Sequence, residues 1–154
     1  MKTRKAVDEM AEDAKSMLRK IKLYDACINS KIEELERLKD MVTHITTAFG
    51  SEPVVGCGNG DKIGNTVAKI VDLQNEINQE IDNFVDLKRQ VNKILGFMEN
   101  PYQMQVLHKR YFRYEKWEQI ACDMGYSYQG VLKLHGRGLQ AFEKILKKQK
   151  CIQK

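Results

Sequence analysis

Only two prolines, Pro53 and Pro101, interrupt the 154 residues, so long unbroken helices are permitted. No apolar run approaches the ~20 residues that a bilayer span needs, so a membrane helix is not expected. The basic start, Met1-Lys2-Thr3-Arg4-Lys5, leads into acidic and polar residues without an apolar core, so it does not read as a secretory signal. The four cysteines, Cys27, Cys57, Cys122 and Cys151, lie far apart, with no C-x-x-C pair and no histidine at ligand spacing. That disfavours a zinc site and a disulfide framework, and reduced thiols in a cytoplasm are the expectation. Cys27 and Cys122 fall within apolar patterns and are expected to fill core space. At 42% hydrophobic and 31% charged, the chain is too apolar for disorder and too charged for a membrane protein.

The net charge of +5 is unevenly placed. Residues 1–100 carry 15 Lys/Arg against 17 Asp/Glu, and residues 101–154 carry 11 against 4. An anionic partner is therefore expected at the C-terminal third. A solubilising tail explains part of the excess, because Lys144, Lys147, Lys148, Lys150 and Lys154 alone supply five charges.

From about Asp13 to Thr47, apolar residues fall at Leu18, Ile21, Ile28, Ile32, Leu35, Val42 and Ile45. With Asp25 and Lys39 in the two gaps, this is an unbroken 3-4 heptad pattern and predicts a helix roughly 50 Å long. Glycines and Pro53 then make residues 50–61 a loop. Asp61 or Asn65 can cap a second helix, from about Lys62 to Met98. Its stripe is Ile63, Val67, Ile70, Ile77, Ile81, Phe84, Val91, Leu95 and Met98, with Gln74 and Lys88 at the skipped steps. The predicted architecture is all-α: an antiparallel helical hairpin over residues 1–99, then a helix-turn-helix domain over 100–154.

The second part of that prediction rests on fixed offsets. Asn100-Pro101 is a helix start, and Val106, Leu107, Tyr111 and Phe112 give a short helix ending near Arg113. A further helix runs from about Lys116 to Met124 and stops at Gly125. Ser127 caps the last helix, which carries Val131, Leu134, Leu139, Phe142 and Ile145. Ala121 is small where two helices must cross. Gly125, four residues on, tolerates the positive φ of a tight turn, and Val131 is the branched residue that faces Ala121. Ile120 and Leu134 complete the inner contacts. A plain three-helix packing would use the same residues, and the adjacent charge of +7 favours the DNA-binding alternative.

With Val131 and Leu134 turned inward, Tyr128, Gln129, Leu132 and Lys133 project outward near the start of the last helix. Gln129 can pair with adenine, Lys133 can reach guanine O6 and N7, and Leu132 or Tyr128 can pack on a thymine methyl. Arg113, Lys116, Ser127, Arg137 and Lys109 are expected at phosphates. Gly130, Gly136 and Gly138 weaken this helix by about 0.8–1 kcal/mol each relative to Ala, and close approach of a backbone is one reason to keep them.

The run Val106-Leu107-His108-Lys109-Arg110-Tyr111-Phe112, then Trp117-Glu118-Gln119-Ile120-Ala121, Met124-Gly125-Tyr126-Ser127 and Leu134-His135-Gly136-Arg137-Gly138-Leu139, resembles region four of sigma factors. With Asp61-Lys62-Ile63-Gly64-Asn65 and Val67-Ala68-Lys69-Ile70-Val71-Asp72-Leu73, the chain is similar to small phage proteins of Gram-positive hosts, the ArpU/RinA-type late transcription regulators. The resemblance implies double-stranded DNA as partner in a bacterial cytoplasm. It also implies base contacts by Tyr128, Gln129 and Lys133, a backbone contact by Arg137, and host RNA polymerase as a second partner. Lys116 stands where the motif commonly has Ser or Thr, and Gly138 where it has Ala. The hairpin is expected to serve dimerisation or polymerase contact.

Catalysis is not expected, nor is a cofactor. Gly56-Cys57-Gly58-Asn59-Gly60-Asp61-Lys62 lacks the G-K-[ST] ending and the preceding strand of a phosphate loop. His44, His108 and His135 have no nucleophile or paired carboxylate at useful spacing; His108 and His135 are expected to pack or hydrogen-bond at helix contacts. Asp72, Glu76 and Glu80 read as a solvated acidic face. Two other functions fit the same pattern: a protein-interaction adaptor working through the hairpin, and a small DNA-packaging subunit.

Overall fold

The computed structural model describes the backbone of residues 2–49 and 59–152, and the side chains of residues 13–47 and 62–152. The protein is all-α. Its helices are α1 (Lys2–Phe49), α2 (Asn59–Gly96), α3 (Pro101–Tyr111), α4 (Trp117–Met124) and α5 (Tyr128–Ile152). The two long helices form an antiparallel hairpin, and the shorter helices pack together. α1 starts well before Asp13, and α5 continues past Ile145. α2 starts at Asn59, so Asp61 lies within it rather than capping it. The rest of the expected loop, residues 50–58, lies outside the described residues, as does Cys57. Among the described residues no helix is long and apolar enough to cross a membrane.

The chain divides into two compact units, residues 24–84 and residues 1–23 with 85–154. In the second of these units the bases of both long helices join the C-terminal helices.

In the 24–84 unit, antiparallel register is fixed by side chains. Tyr24 stacks on Phe84 with ring centroids 6.3 Å apart. Lys31 Nζ lies 3.0 Å from Glu76 Oε2 and 2.7 Å from Glu80 Oε1, and the two carboxylates raise its pKa to about 12. Glu76 and Glu80 therefore grip the opposite helix, with Glu80 half-buried, while Asp72 and Glu76 remain exposed as expected of a solvated face. The stripe expected on α2 also needs correction. The covered positions are Ile63, Thr66, Ile70, Leu73, Ile77, Glu80 and Phe84, spaced 3 and 4 in strict alternation. Val67 and Ile81, placed on that stripe by sequence, are 44% and 37% exposed. The row Ile63, Ile70, Ile77 and Phe84 is covered as expected, and the other row lies one residue earlier. On α1, Leu38 is half-buried where Lys39 was expected, and Cys27 is exposed rather than in the core.

In the other unit the core draws on five helices. Ala14, Leu18 and Ile21 of α1 are buried, as are Val91, Ile94 and Leu95 of α2. Met17, Leu87, Ile94 and Leu146 line one groove between α1, α2 and α5. α5 carries the stripe Val131, His135, Leu139, Phe142 and Leu146, all buried. At Gly138 a Cβ would stand 3.3 Å from the Gln103 carbonyl oxygen and 3.4 Å from Leu107 Cγ. That close crossing of α3 accounts for glycine where the resembled motif has alanine.

Glu143 is out of keeping with this core. It is 2% exposed, and its Oε2 finds no hydrogen-bond partner among the described residues. Lys147 Nζ is 3.8 Å from Oε1. Burial raises its pKa, with Lys147 opposing. A carboxyl whose folded pKa is raised favours the fold below its unfolded pKa, and that contribution is lost as pH rises through the folded value. Glu143→Gln is therefore expected to stabilise the protein at pH 7 by about 1 kcal/mol, and less in acid. Urea unfolding at the two pH values measures this; a destabilised variant at pH 7 would show the carboxylate to be a net asset.

Candidate nucleic-acid interface

The corner between α4 and α5 is built by local chemistry. Asn100 caps α3, its side-chain oxygen accepting from the Tyr102 and Gln103 amides, and Pro101 opens the helix. α4 ends at Gly125, whose φ of 66° lies in the left-handed region. The Tyr126 amide donates to the Ala121 carbonyl at 3.0 Å and the Gly125 amide to Cys122 at 3.3 Å. This paired closure is the Schellman arrangement, which needs a residue free of a Cβ penalty at the turn. Ser127 Oγ then accepts from the Gly130 amide at 3.0 Å and starts α5. Ile120, Ala121 and Val131 are buried together with Val106, and Trp117, Met124 and Leu134 pack against them. The offsets that suggested a helix-turn-helix are thus met by packing. Cys122, expected in that core, is exposed.

A network of charges ties the turn between α3 and α4. Lys109 Nζ lies 2.9 Å from Asp123 Oδ2 and 3.3 Å from Glu115 Oε2. Hydrogen bonding to Asp123, then to Glu115, raises its pKa against the effect of burial. Lys109 is 8% exposed, so its expected place at a phosphate is corrected: it is an internal clamp. Glu115 Oε1 also takes Arg113 Nε at 3.2 Å. Arg110 lies over the Trp117 ring at 4.4 Å and donates to the Glu115 carbonyl at 2.8 Å. Of the two histidines, His135 is buried and shares a hydrogen bond with the Tyr111 hydroxyl at 3.0 Å. His108 is exposed and stacks on Phe112, with centroids 5.0 Å apart.

The remaining candidates lie outside the core. Tyr128 is 45% and Leu132 37% exposed, and Gln129 and Lys133 are exposed beside them. Lys116 and Arg137 are exposed; Ser127 is exposed, but its hydroxyl is engaged in capping. Arg113 is exposed with part of its guanidinium held by Glu115. Arg137 shares a groove of about 480 Å³ with Lys144 and Lys148, floored by Phe97, Ala141 and Ile145. Sequence reasoning missed Tyr102 and Tyr126. Both are exposed, and their rings meet edge to face at 6.2 Å beside the start of α5. Their only early signal was two tyrosines near helix starts, 24 positions apart.

No family model matches the chain, and neither a curated protein nor a solved structure does.

Proposed function

We propose that this protein is a sequence-specific DNA-binding transcription regulator of the sigma-like, phage-encoded kind that its sequence resembles. The observation that carries the reading is the exposed quartet Tyr128, Gln129, Leu132 and Lys133 at the start of α5, behind a rigid glycine corner. An amide, an ammonium and two apolar surfaces on one face of a helix are the groups that read base edges in a major groove. Lys116, Arg137 and Arg113 flank them with positive charge for phosphates. The hairpin would serve dimerisation or contact with RNA polymerase.

Fluorescence anisotropy on a duplex selected from a random pool, and on an unrelated duplex, tests this. Affinity is expected to fall with salt, with a log–log slope of about 0.9 per phosphate contact. Lys133→Ala should lose about 1–3 kcal/mol on the selected duplex and little on the unrelated one. Lys116→Ala should weaken both alike. Weak binding that ignores salt would favour a protein-docking role for this unit.

A further inference from the structure

We infer that the outward face of α2 is a self-association seam on which a second copy of this chain packs antiparallel. The inference deepens the dimerisation part of the proposed function and is independent of DNA binding.

Val67, Val71, Ile81 and Val85 are 44%, 48%, 37% and 43% exposed on one unbroken helix. With Gln74 and Asn78, both exposed, they form a second heptad stripe, spaced 4, 3, 4, 3 and 4. It runs beside the stripe that covers α1. Single exposed apolar residues are ordinary, whereas a continuous heptad row is the pattern of a helix partner.

The order of residues along the row identifies the partner. Read from either end it is two apolar residues, one amide, one amide and two apolar residues. Antiparallel pairing about its centre sets Val67 against Val85 of the copy, Val71 against Ile81, and Gln74 against Asn78. Every apolar layer meets an apolar layer, and the central amides meet each other. Each amide supplies donors and an acceptor, so the central layer satisfies itself and fixes register. Ala68 and Asp82 flank the row. Antiparallel pairing sets Asp82 against the small, uncharged Ala68 of the copy, so no like charges meet along that flank. Opposed helix dipoles favour the same orientation.

Light scattering after size exclusion, over about a 100-fold range of concentration, tests this on the full chain. Wild type is expected to reach twice its 17.9 kDa mass. Val71→Asp with Ile81→Asp should halve that mass and leave the helical circular dichroism unchanged, since both residues are exposed. A second measurement reads orientation. In a background with Cys27, Cys57, Cys122 and Cys151 replaced by serine, Gln74→Cys chains mixed with Asn78→Cys chains should oxidise to mixed dimers. Gln74→Cys chains alone should cross-link far more slowly. A monomeric wild type, a dimer that survives the double aspartate variant, or preferential linking of Gln74→Cys to itself would each overturn the inference. DNA affinity measured on the same samples fails or holds separately, because Gln129 and Lys133 are untouched.

Discussion

Phe142→Ala is expected to remove about 3–5 kcal/mol of folding stability. Phe142 is fully buried, and no described side chain with less than 2% exposure is larger. It stands on α5 between Leu139 and Leu146, in the unit where the bases of α1 and α2 join the C-terminal helices. Truncation loses the transfer free energy of the ring and leaves a cavity. α5 cannot shift to fill it, because Gly138 holds the helix against α3 with only 3.3 Å between an added Cβ and the Gln103 carbonyl. For a chain of this length the melting temperature should drop by roughly 10 °C. Lys144→Ala, an exposed change nearby on the same helix, should stay within about 0.5 kcal/mol of wild type. Thermal melts of both variants check the prediction. Comparable shifts in the two would mean that α5 contributes little to the core of that unit.

Where information was local, it could be read from the sequence. Asn100-Pro101 announced α3, because the cap and the missing proline amide act within one turn. Gly125 announced the corner, because few residues accept its φ of 66°. Pairings across the fold could not be read in this way. Lys109 resembled any lysine on a basic helix, and its burial depends on Glu115 and Asp123, which only the finished turn brings near it. The α2 stripe was shifted in one row because the helix carries two apolar seams, and heptad counting cannot say which one faces α1. Thr66 and Glu80 are inward but polar, while Val67 and Ile81 are outward but apolar. Hydrophobicity therefore favoured the wrong neighbour at these two steps, and heptad counting then carried the shift past Leu73, which is half-buried where exposed Gln74 was expected. Glu80 is acceptable there because Lys31 meets it at 2.7 Å. The outward quartet Tyr128, Gln129, Leu132 and Lys133 needed only the inward direction of Val131, which explains why its exposure followed from sequence.

Between pH 6.5 and about 4, the protein is expected to lose up to about 3 kcal/mol of stability through His135 alone. Burial, then the positive charges of Lys15 and Arg110, lowers its pKa to about 4. The ring is enclosed by Tyr111, whose hydroxyl lies 3.0 Å from Nε2, and by Trp117, edge-on at 4.8 Å. Above pH 6.5 the imidazole is neutral in both folded and unfolded chains, and the fold bears no penalty. Below it the unfolded chain takes up a proton that the folded chain refuses until about pH 4, so acid favours unfolding throughout that window. Glu143 works in the opposite direction, since its raised pKa makes the fold easier to hold in acid. The comparison is therefore cleanest between Glu143→Gln and Glu143→Gln with His135→Gln. The single variant should show the steeper fall in urea midpoint from pH 7 to pH 4.5, whatever the two midpoints are at pH 7. The exposed His108, pushed down by partial burial and Arg113, contributes equally to both and cancels. Parallel slopes would mean that His135 accepts its proton without disturbing the contact between α3 and α5, and that acid sensitivity arises elsewhere.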